Sequence, residues 1–239
     1  MTTAPPTATM LNYSIVRLSP SDKDRVIAFL VKFFFHDEPL NIAVGLMQDG
    51  QRCIELEDYC TTPLAQGLSL AAVNERQEIV GVCINTINYR RESSTGPPES
   101  GEDECAHPKF KIILKFLKWL DKKNDIFSKF NINKYLDISI LSTDSAYRGQ
   151  GIAKKLVYES IDLAADNDIH LVKADCSSHY SAKAMARLGF SCIYSMSYED
   201  YTGSDNKPVF SPPAPHHGAE TYVLDVKRFL EQRPNILSA

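Results

Sequence analysis

A glycine-rich turn at residues 147–153 has the composition of an anion-binding site. It reads Tyr-Arg-Gly-Gln-Gly-Ile-Ala and joins a predicted strand, which ends near Thr143, to a predicted amphipathic helix. Backbone N–H groups at the start of a helix point outward with the positive end of the helix dipole. The small residues of the turn would let a diphosphate approach the main chain, and Arg148 could add a charge-assisted hydrogen bond. The turn therefore predicts a site for a phosphorylated cofactor.

Two other nucleotide-binding motifs contain similar glycines, and the sequence excludes both. The P-loop needs a Gly-Lys-Ser/Thr ending, which this turn lacks. The dinucleotide-binding motif needs a third glycine where Lys154 stands. A structural alternative stays open, in which the glycines only allow a helix to begin directly after a strand.

The turn and three other segments resemble a known enzyme family. Residues 148–153 (Arg-x-x-Gly-x-Ala) fit the Q/R-x-x-G-x-G/A signature of the GCN5-related N-acetyltransferase superfamily, and residues 189–190 (Gly-Phe) fit its closing motif. Residues 33–41 (Phe-Phe-Phe-His-Asp-Glu-Pro-Leu-Asn) and 176–182 (Cys-Ser-Ser-His-Tyr-Ser-Ala) resemble the insect-type arylalkylamine N-acetyltransferases. The resemblance extends over about residues 14–226.

The resemblance implies transfer of an acetyl group from acetyl-CoA to a primary amine, without a metal ion. It places the diphosphate of acetyl-CoA at the turn. It places the thioester beside backbone N–H groups of the preceding strand, which would stabilise negative charge on the carbonyl oxygen. The cofactor-binding residues that it implies are Leu141, Ser142, Thr143, Arg148, Gly149, Gln150, Gly151, Ile152 and Ala153.

The acceptor amine needs a base, because an arylalkylamine is protonated at neutral pH with a pKa near that of lysine, roughly 10. The resemblance assigns this role to Glu38. Its aromatic surroundings favour partial desolvation, which would raise the pKa of the carboxyl toward neutrality. The alternative is an exposed acidic helix end before Pro39. A negative charge is unfavourable at a helix C-terminus, and this favours the functional interpretation.

Two serines span a predicted strand end and the helix that follows it. The family pattern places Ser177 and Ser181 in a catalytic set with Glu38, relaying a proton or donating one to the CoA thiolate. Helix capping is the alternative for Ser177 and Ser178. Many superfamily members carry a tyrosine general acid in this helix, and the corresponding residue here is Met185. The identity of the acid stays open.

The resemblance also implies an amine pocket with an aromatic wall, which suits a phenyl or indole ring. The residues that it places there are Phe34, Asp37, Tyr59, Leu117 and, near the floor, Asp137. Core packing is the alternative for the three consecutive phenylalanines at residues 33–35. We expect two of these rings in the core and one in the pocket.

The histidines and cysteines indicate neither a metal site nor another nucleophile. The six cysteines and the histidines at positions 36, 179, 216 and 217 match no zinc-binding spacing. The Ser-His pair at residues 178–179 lacks the elbow motif of a serine nucleophile. Direct acetyl transfer needs no acyl-cysteine at Cys176. We expect reduced thiols, most of them buried.

The composition is that of a soluble globular protein. The chain has 239 residues, of which 44% are hydrophobic and 23% charged, with a formal net charge of -4 and a pI near 5.9. It lacks the basic surface on which binding to nucleic acid or anionic membranes depends. No apolar run approaches the roughly 20 residues of a membrane span, and the first ten residues do not resemble a signal peptide. We expect a cytoplasmic monomer with a flexible tail at residues 1–12 and one domain at residues 13–239.

Apolar periodicity predicts a mixed α/β domain with a central sheet. Strands are predicted near residues 14–18, 79–87, 136–141, 169–174, 190–198 and 220–226. Helices are predicted near residues 21–39, 54–59, 110–122, 149–165 and 178–188. A loop is predicted at residues 91–108. Together with the resemblance, the expected fold is that of the GCN5-related N-acetyltransferases, with about seven strands flanked by helices.

The predicted function is acetylation of arylalkylamines such as dopamine, tyramine, octopamine, serotonin or tryptamine, with acetyl-CoA as co-substrate. The partners would be small molecules. Two alternatives stay open. One is an acetyltransferase for polyamines or protein lysines, and the other is a catalytically silent acyl-CoA-binding module.

Overall fold

The strands and helices are defined for residues 12–50, 52–90 and 105–236 of the computed structural model. The strands are β1 Tyr13–Arg17, β2 Leu70–Asn74, β3 Ile79–Tyr89, β4 Lys134–Thr143, β5 Leu171–Cys176, β6 Ser191–Ser197 and β7 Gly218–Asp225. The α-helices are α1 Lys23–Leu30, α2 Pro39–Val44, α3 Ile54–Thr61, α4 Pro108–Asn124, α5 Ile126–Phe130, α6 Ile152–Asp166, α7 His179–Arg187 and α8 Val226–Ile236. The predicted tail at residues 1–12 and the predicted loop at residues 91–108 fall largely outside the described residues.

The seven strands form one mixed sheet in the order β1-β2-β3-β4-β5-β7-β6. The neighbouring strands are antiparallel except for the central pair, β4 and β5, which is parallel. The parallel pair is joined by the crossover helix α6, as parallel strands require. The predicted mixed α/β fold with about seven strands and flanking helices is confirmed.

The two central strands separate soon after they pair. The described ladder between β4 and β5 consists of Leu136 opposite Val172 and Asp137 opposite Lys173. Beyond this point β4 stays paired with β3 as far as Thr143. The β3–β4 register shifts between Ile84 and Asn85, so that Ser139 is an extra residue on β4. A gap therefore opens between β4 and β5 on the side that leads to the glycine-rich turn.

Helices cover both faces of the sheet. On one face α6 buries Ile152, Leu156 and Ile161, which belong to one core cluster with side chains of α7 and α8. On the other face the core cluster includes Leu30 of α1 and Phe116 of α4. In α4 the buried Ile113, Phe116 and Leu120 stand at positions i, i+3 and i+7, the helical spacing that predicts a buried face from the sequence. The two cores hold the separated central strands from opposite sides.

The first predicted helix, at residues 21–39, is interrupted twice. It leaves α-helical geometry in a π-helical turn at Val31–Phe35, and a new helix begins at Pro39. A π-helical turn adds one residue per turn and so rotates the side chains that follow it. As a result Phe35 is buried at 1% exposure, whereas Phe34 lines a cavity. Proline suits the first position of a helix because a backbone N–H at that position would have no acceptor within the helix, so its absence costs no hydrogen bond.

Strand β2 and helices α5 and α8 were not predicted from the sequence. Strand β2 has the sequence Leu-Ala-Ala-Val-Asn, whose alanines have low β propensity, but it is buried between β1 and β3. Helix α8 begins at Val226, where the last predicted strand was expected to end.

The glycine-rich turn extends further than predicted, because α6 begins at Ile152 and not at Gly149. No helix of the described ranges is long and apolar enough to cross a membrane.

We expect Gly218→Ala to destabilise the protein by about 3 kcal/mol, at the upper end of overpacking costs. A Cβ atom at Gly218 would lie 1.9 Å from the Met196 carbonyl oxygen, so β6 and β7 would have to separate. Urea unfolding measures the change. Gly203→Ala is the control, because the nearest atom to its Cβ would be in the Asp205 side chain, at 3.2 Å, and the nearest backbone atom would lie 4.0 Å away. Equal stability of the two variants would contradict this account of the β6–β7 pair.

Candidate active site

The glycine-rich turn leaves its main chain open to solvent. Gly149 and Gly151 adopt left-handed conformations, with φ of +79° and +77°. A Cβ atom at either glycine would meet no described atom within 4 Å. The glycines are thus required by the backbone conformation, and the space beside them is open. This is the arrangement that lets a bulky anion reach backbone N–H groups.

The start of α6 supplies those N–H groups. Gly151 is the N-cap residue and its position provides no side-chain cap. The first N–H groups of an α-helix have no partner within the helix. Helix α6 spans 15 residues, so its dipole favours an anion at this end. Arg148 is exposed just before the glycines, where its guanidinium can reach an anion. The open main chain and the helix start are compatible with a bound diphosphate, and the cofactor site stays a prediction.

The end of β4 faces the gap between the central strands. Among the predicted cofactor-binding residues here, Leu141 is half-buried and Thr143 pairs with Gly81 of β3. The Ser142 hydroxyl donates a hydrogen bond to the Phe33 carbonyl at 3.0 Å. The Ser142 side chain thus fastens the π-helical turn to β4. Because the Ser142 hydroxyl is already hydrogen-bonded, the groups of this segment that could face a thioester are those of the backbone.

Glu38 has a structural role that the sequence analysis did not predict. It is the N-cap of α2, and its Oε2 accepts a hydrogen bond from the Asn41 N–H at 2.7 Å. The sequence analysis assumed the C-terminal end of a helix, where a carboxylate is unfavourable. That premise is wrong, because the helix restarts at Pro39 and the carboxylate lies at an N-terminus, which favours it. The dipole argument for a functional Glu38 therefore no longer holds.

The surroundings of Glu38 provide a different argument. Its Oε1 is buried and has no hydrogen-bond partner among residues 12–50, 52–90 and 105–236. Burial raises the pKa of the carboxyl, opposed in part by the Ser177 hydroxyl and by the N–H groups of Asn41 and Leu40. A capping role needs only one oxygen. Glu38 also lines a cavity, and its second oxygen is not needed by the cap.

The serines after β5 separate into two groups. Ser178 is the N-cap of α7, with its hydroxyl accepting from the Ser181 N–H at 3.0 Å. The Ser181 hydroxyl donates to the Ser178 carbonyl at 2.9 Å and so is held within its own helix. Ser177 lines the cavity near Glu38, and its carbonyl accepts a hydrogen bond from the Tyr198 hydroxyl at 2.7 Å. Of the two predicted catalytic serines, the structure brings Ser177 to Glu38.

The cavity lies between α2, α3, α4 and the separated central strands, with a volume of about 130 Å³. A cavity of roughly 150 Å³ holds one benzene ring, so this space suits one aromatic ring. Its apolar wall includes Phe34, Leu56, Tyr59, Phe110, Phe116 and Leu117. Tyr59 and Phe110 meet edge to face at 5.7 Å. Phe34, Tyr59 and Leu117 were predicted for the amine pocket.

The two aspartates predicted for the amine pocket differ in position. Asp137 lines the cavity, whereas Asp37 lies at an exposed position and outside the lining. Met185, at the position of the superfamily's tyrosine, is buried at 2% exposure in the core beneath α7.

The three consecutive phenylalanines have three different surroundings. Phe35 is in the core, Phe34 lines the cavity and Phe33 is half-buried. One ring, and not the expected two, is fully in the core.

A buried cluster of charged side chains lies at the floor of the cavity. The sequence analysis predicted only one of its members, Asp137. Lys173, with 3% of its side chain exposed, lies 2.6 Å from carboxylate oxygens of Asp121 and Asp175 and 3.6 Å from Asp137 Oδ1. Burial alone would lower the pKa of Lys173, but the three carboxylates hold it well above its usual value. Burial raises the pKa of Asp137 to about 6, although Lys173 opposes the rise.

Among the described residues, no histidine lines this cavity. In the same part of the chain, no group of three or more His, Cys, Asp or Glu side chains could hold a metal ion. His179 and His216 meet instead through a hydrogen bond from the His179 N–H to His216 Nδ1, at 3.3 Å. Five of the six cysteines are buried thiols, as predicted, and Cys192 is exposed. Burial raises the pKa of the Cys176 thiol to about 12, so it is a poor nucleophile.

Comparison with known proteins agrees with this geometry. The model of the Acetyltransferase (GNAT) family matches residues 121–190, which include β4, the glycine-rich turn and α6. Arylalkylamine N-acetyltransferase 2 from Aedes aegypti is 32% identical, with a TM-score of 0.83, and the match covers 90% of this chain and 99% of that chain. This identity and coverage are sufficient to assign a family.

Two less similar structures share the fold. The polyamine N-acetyltransferase of Drosophila melanogaster, which forms N-acetylagmatine, is 22% identical with a TM-score of 0.80, covering 90% of this chain and 100% of that chain. A mosquito arylalkylamine N-acetyltransferase-like protein, 5b, is also 22% identical, with a TM-score of 0.78 and the same coverage. Enzymes with this fold thus include proteins named for aromatic and for aliphatic amines.

Proposed function

Because this chain belongs to the GNAT family of acetyltransferases, we propose that it acetylates the primary amine of small arylalkylamines, such as dopamine, tyramine, octopamine, serotonin and tryptamine. The observation that carries the proposal is the ring-sized cavity with an aromatic wall. Glu38 lines this cavity, and its Oε1 atom is buried. The similarity to the Aedes aegypti enzyme supports the same substrate class.

Acetyl-CoA, which the GNAT family uses, supplies the acetyl thioester that the amine attacks. The N–H groups at the start of α6 and the guanidinium of Arg148 would hold its diphosphate. The unpaired side of β4 near Leu141 would face the thioester. Backbone N–H groups of this segment would then stabilise negative charge on the carbonyl oxygen. The cavity would present the amine from the other side.

Glu38 would prepare the amine for attack. The substrate enters as an ammonium ion, and the carboxylate removes one proton, either directly or through a water molecule. A raised pKa brings the carboxyl closer to the pH at which it works, while it must still be ionised to act as a base. We assign a relay role to the Ser177 hydroxyl, which would give a proton to the departing thiolate while taking one from Glu38, so that the serine stays neutral. It lines the cavity, whereas the Ser181 hydroxyl is bonded within α7.

Acetylation of a diamine or polyamine is the second candidate function. The observation in its favour is the negative charge at the cavity floor, where Asp121, Asp137 and Asp175 surround a single lysine. The fold similarity to the Drosophila polyamine enzyme points the same way. A protein lysine is less suited, because a ring-sized cavity provides no extended groove for a peptide.

A thiol-release assay with a panel of amines tests the proposal. We expect kcat/KM for tyramine and serotonin to exceed that for agmatine, putrescine and a lysine peptide by at least about tenfold. A higher value for agmatine or putrescine would support the second candidate and overturn the first. Acetyl-CoA binding without thiol release for any amine would identify a silent binding module.

A further inference from the structure

A buried tyrosine ties the segment after β6 to the end of β5. Tyr198 follows Ser197, the last residue of β6, and is 2% exposed. Its hydroxyl donates a hydrogen bond to the Ser177 carbonyl at 2.7 Å, and its N–H donates to the His217 carbonyl at 3.0 Å. Its ring packs against Phe116, a wall residue of the cavity, with ring centres 6.0 Å apart. Tyr198 is therefore fixed through its hydroxyl, its main chain and its ring.

The carbonyl that Tyr198 holds belongs to the serine beside Glu38. Ser177 stands between Cys176, which ends β5, and Ser178, which caps α7. It therefore lies outside both the strand and the helix, whose regular main-chain hydrogen bonds fix the backbone of their own residues. Because the peptide unit is planar, a hydrogen bond to the Ser177 carbonyl restricts rotation of the main chain at this residue. The bond from Tyr198 thus restricts the direction in which the Ser177 side chain points.

The direction of the Ser177 hydroxyl matters to the proposed base. This hydroxyl lowers the pKa of the Glu38 carboxyl and so opposes part of the rise that burial causes. A hydroxyl has this effect when its proton is directed toward the ionised carboxylate. Glu38 Oε1 nevertheless has no hydrogen-bond partner among the described residues, so no bond to this oxygen holds the hydroxyl in place. Its direction then depends on the main chain of Ser177, which Tyr198 anchors.

Tyr198 itself is suited to hold a group and not to carry a proton. Burial raises the pKa of its hydroxyl well above the ordinary tyrosine value, and the nearby Glu38 carboxylate raises it further. Tyr198 therefore keeps its proton through neutral and moderately alkaline pH and remains a hydrogen-bond donor. It is also absent from the lining of the cavity, whereas Ser177 and Glu38 both belong to that lining.

We propose that Tyr198 is a positioning residue for acetyl transfer, which acts through Ser177 by holding its carbonyl so that the hydroxyl stays beside Glu38. This inference rests on the proposed function, and within it on the relay role of Ser177. It extends the catalytic arrangement to the segment between β6 and β7, which supplies no proposed catalytic residue of its own.

Tyr198→Phe removes the hydroxyl that holds Ser177 and keeps the ring that packs on Phe116. With tyramine as substrate, we expect kcat to fall by about tenfold, the upper range for one hydrogen bond. KM values for tyramine and acetyl-CoA should change by less than about threefold, because Tyr198 contacts neither substrate. Steady-state kinetics at saturating concentrations of each substrate separate the two effects.

The pH profile gives a readout that a merely structural role would not move. In Tyr198→Phe the Ser177 hydroxyl no longer favours the ionised form of Glu38, so the pKa of Glu38 should rise. The acid limb of kcat/KM should therefore move to higher pH by about half a unit. Asp137, with a pKa of about 6, titrates in the same range, but its hydroxyl donor is Ser139 and not Ser177. The other titratable groups that line the cavity are unchanged in the variant: Tyr59, Cys60, Asp121, Lys173 and Asp175.

A double-mutant cycle with Ser177→Ala tests whether Tyr198 acts through the serine. Once the Ser177 hydroxyl is absent, adding Tyr198→Phe should lower kcat by less than about twofold. Tyr222→Phe is the matched control, because it also removes a buried hydroxyl, one that donates to Glu220 at 2.8 Å. Its kcat and pH profile should stay near those of the unaltered enzyme.

The outcomes separate this inference from the proposed function. An unchanged kcat and pH profile in Tyr198→Phe would overturn the inference. Full additivity with Ser177→Ala, unaltered turnover in Ser177→Ala alone, or an equal loss in Tyr222→Phe would overturn it as well. All of these results leave the arylalkylamine function intact, because the unaltered enzyme still acetylates tyramine. Failure of the unaltered enzyme to acetylate any aromatic amine would instead overturn the proposed function.

Discussion

Glu38→Gln should lower kcat at pH 7 by roughly 100- to 10,000-fold, the usual contribution of a general base. Without the carboxylate the enzyme must capture the small fraction of free amine, since the substrate pKa is roughly 10. The loss should therefore shrink as the pH rises toward that value. Glutamine keeps a side-chain oxygen that can accept from the Asn41 N–H, so the cap of α2 is retained. Acetyl-CoA affinity should change by less than about threefold.

Steady-state kinetics from pH 6 to 10 and calorimetric titration with acetyl-CoA measure these effects. In the unaltered enzyme, kcat/KM should rise with pH as Glu38 loses its proton, at a pKa above the usual glutamate value because of burial. Glu159→Gln is the control, since it makes the same chemical change at an exposed position of α6. If the Glu38→Gln variant had the same turnover and pH profile as this control, the assignment of Glu38 as the general base would be contradicted.

Gly151→Glu should weaken acetyl-CoA binding by about 100-fold or more. It places a carboxylate where the diphosphate would lie, and like charges a few ångströms apart repel by about 4 kcal/mol near a protein surface. The glycine has a φ of +77°, so any side chain adds strain of roughly 1–2 kcal/mol. Calorimetry with acetyl-CoA measures the loss, and thermal unfolding separates it from a change in stability.

Gly67→Glu is the matched control for this prediction. Gly67 also has a left-handed φ, +68°, and a Cβ atom there meets no described atom within 4 Å. It precedes β2 near Ile87 of β3, whereas the turn follows the end of β4 opposite Gly81. Six residues of strand separate those two levels, or roughly 20 Å. Equal loss of acetyl-CoA affinity in both variants would show that strain, and not the diphosphate site, causes the effect.

Local motifs made part of this site predictable. The glycine-rich turn follows from seven consecutive residues, because a strand, two glycines and an amphipathic helix are all encoded nearby. The sequence also predicts the apolar faces of α4 and α6. It did not predict that Glu38 caps α2, because the π-helical turn that ends at Phe35 has no clear sequence signal. Strand β2 was missed because its burial between two neighbours outweighs the low β propensity of its alanines.

The charged side chains around Lys173 at the cavity floor show which features a local sequence pattern does not reveal. They come from α4, β4 and β5, and both the pairing of β4 with β5 and the position of α4 beside the cavity bring them together. A lysine in the otherwise apolar start of a strand, Leu-Val-Lys-Ala, was the one signal available. A lone lysine there is equally typical of a solvent-facing strand residue. The catalytic role of Ser181 stays a prediction, and sequence spacing did not reveal that its hydroxyl donates to the Ser178 carbonyl.

The most direct test of the central claim is a crystal structure with a covalent conjugate of CoA and tyramine. We predict that the diphosphate oxygens accept hydrogen bonds from the N–H groups at residues 149–153. We also predict that the tyramine nitrogen lies within reach of Glu38 Oε1, directly or through one water molecule. A diphosphate bound elsewhere, or a nitrogen on the far side of the cavity from Glu38, would contradict the account.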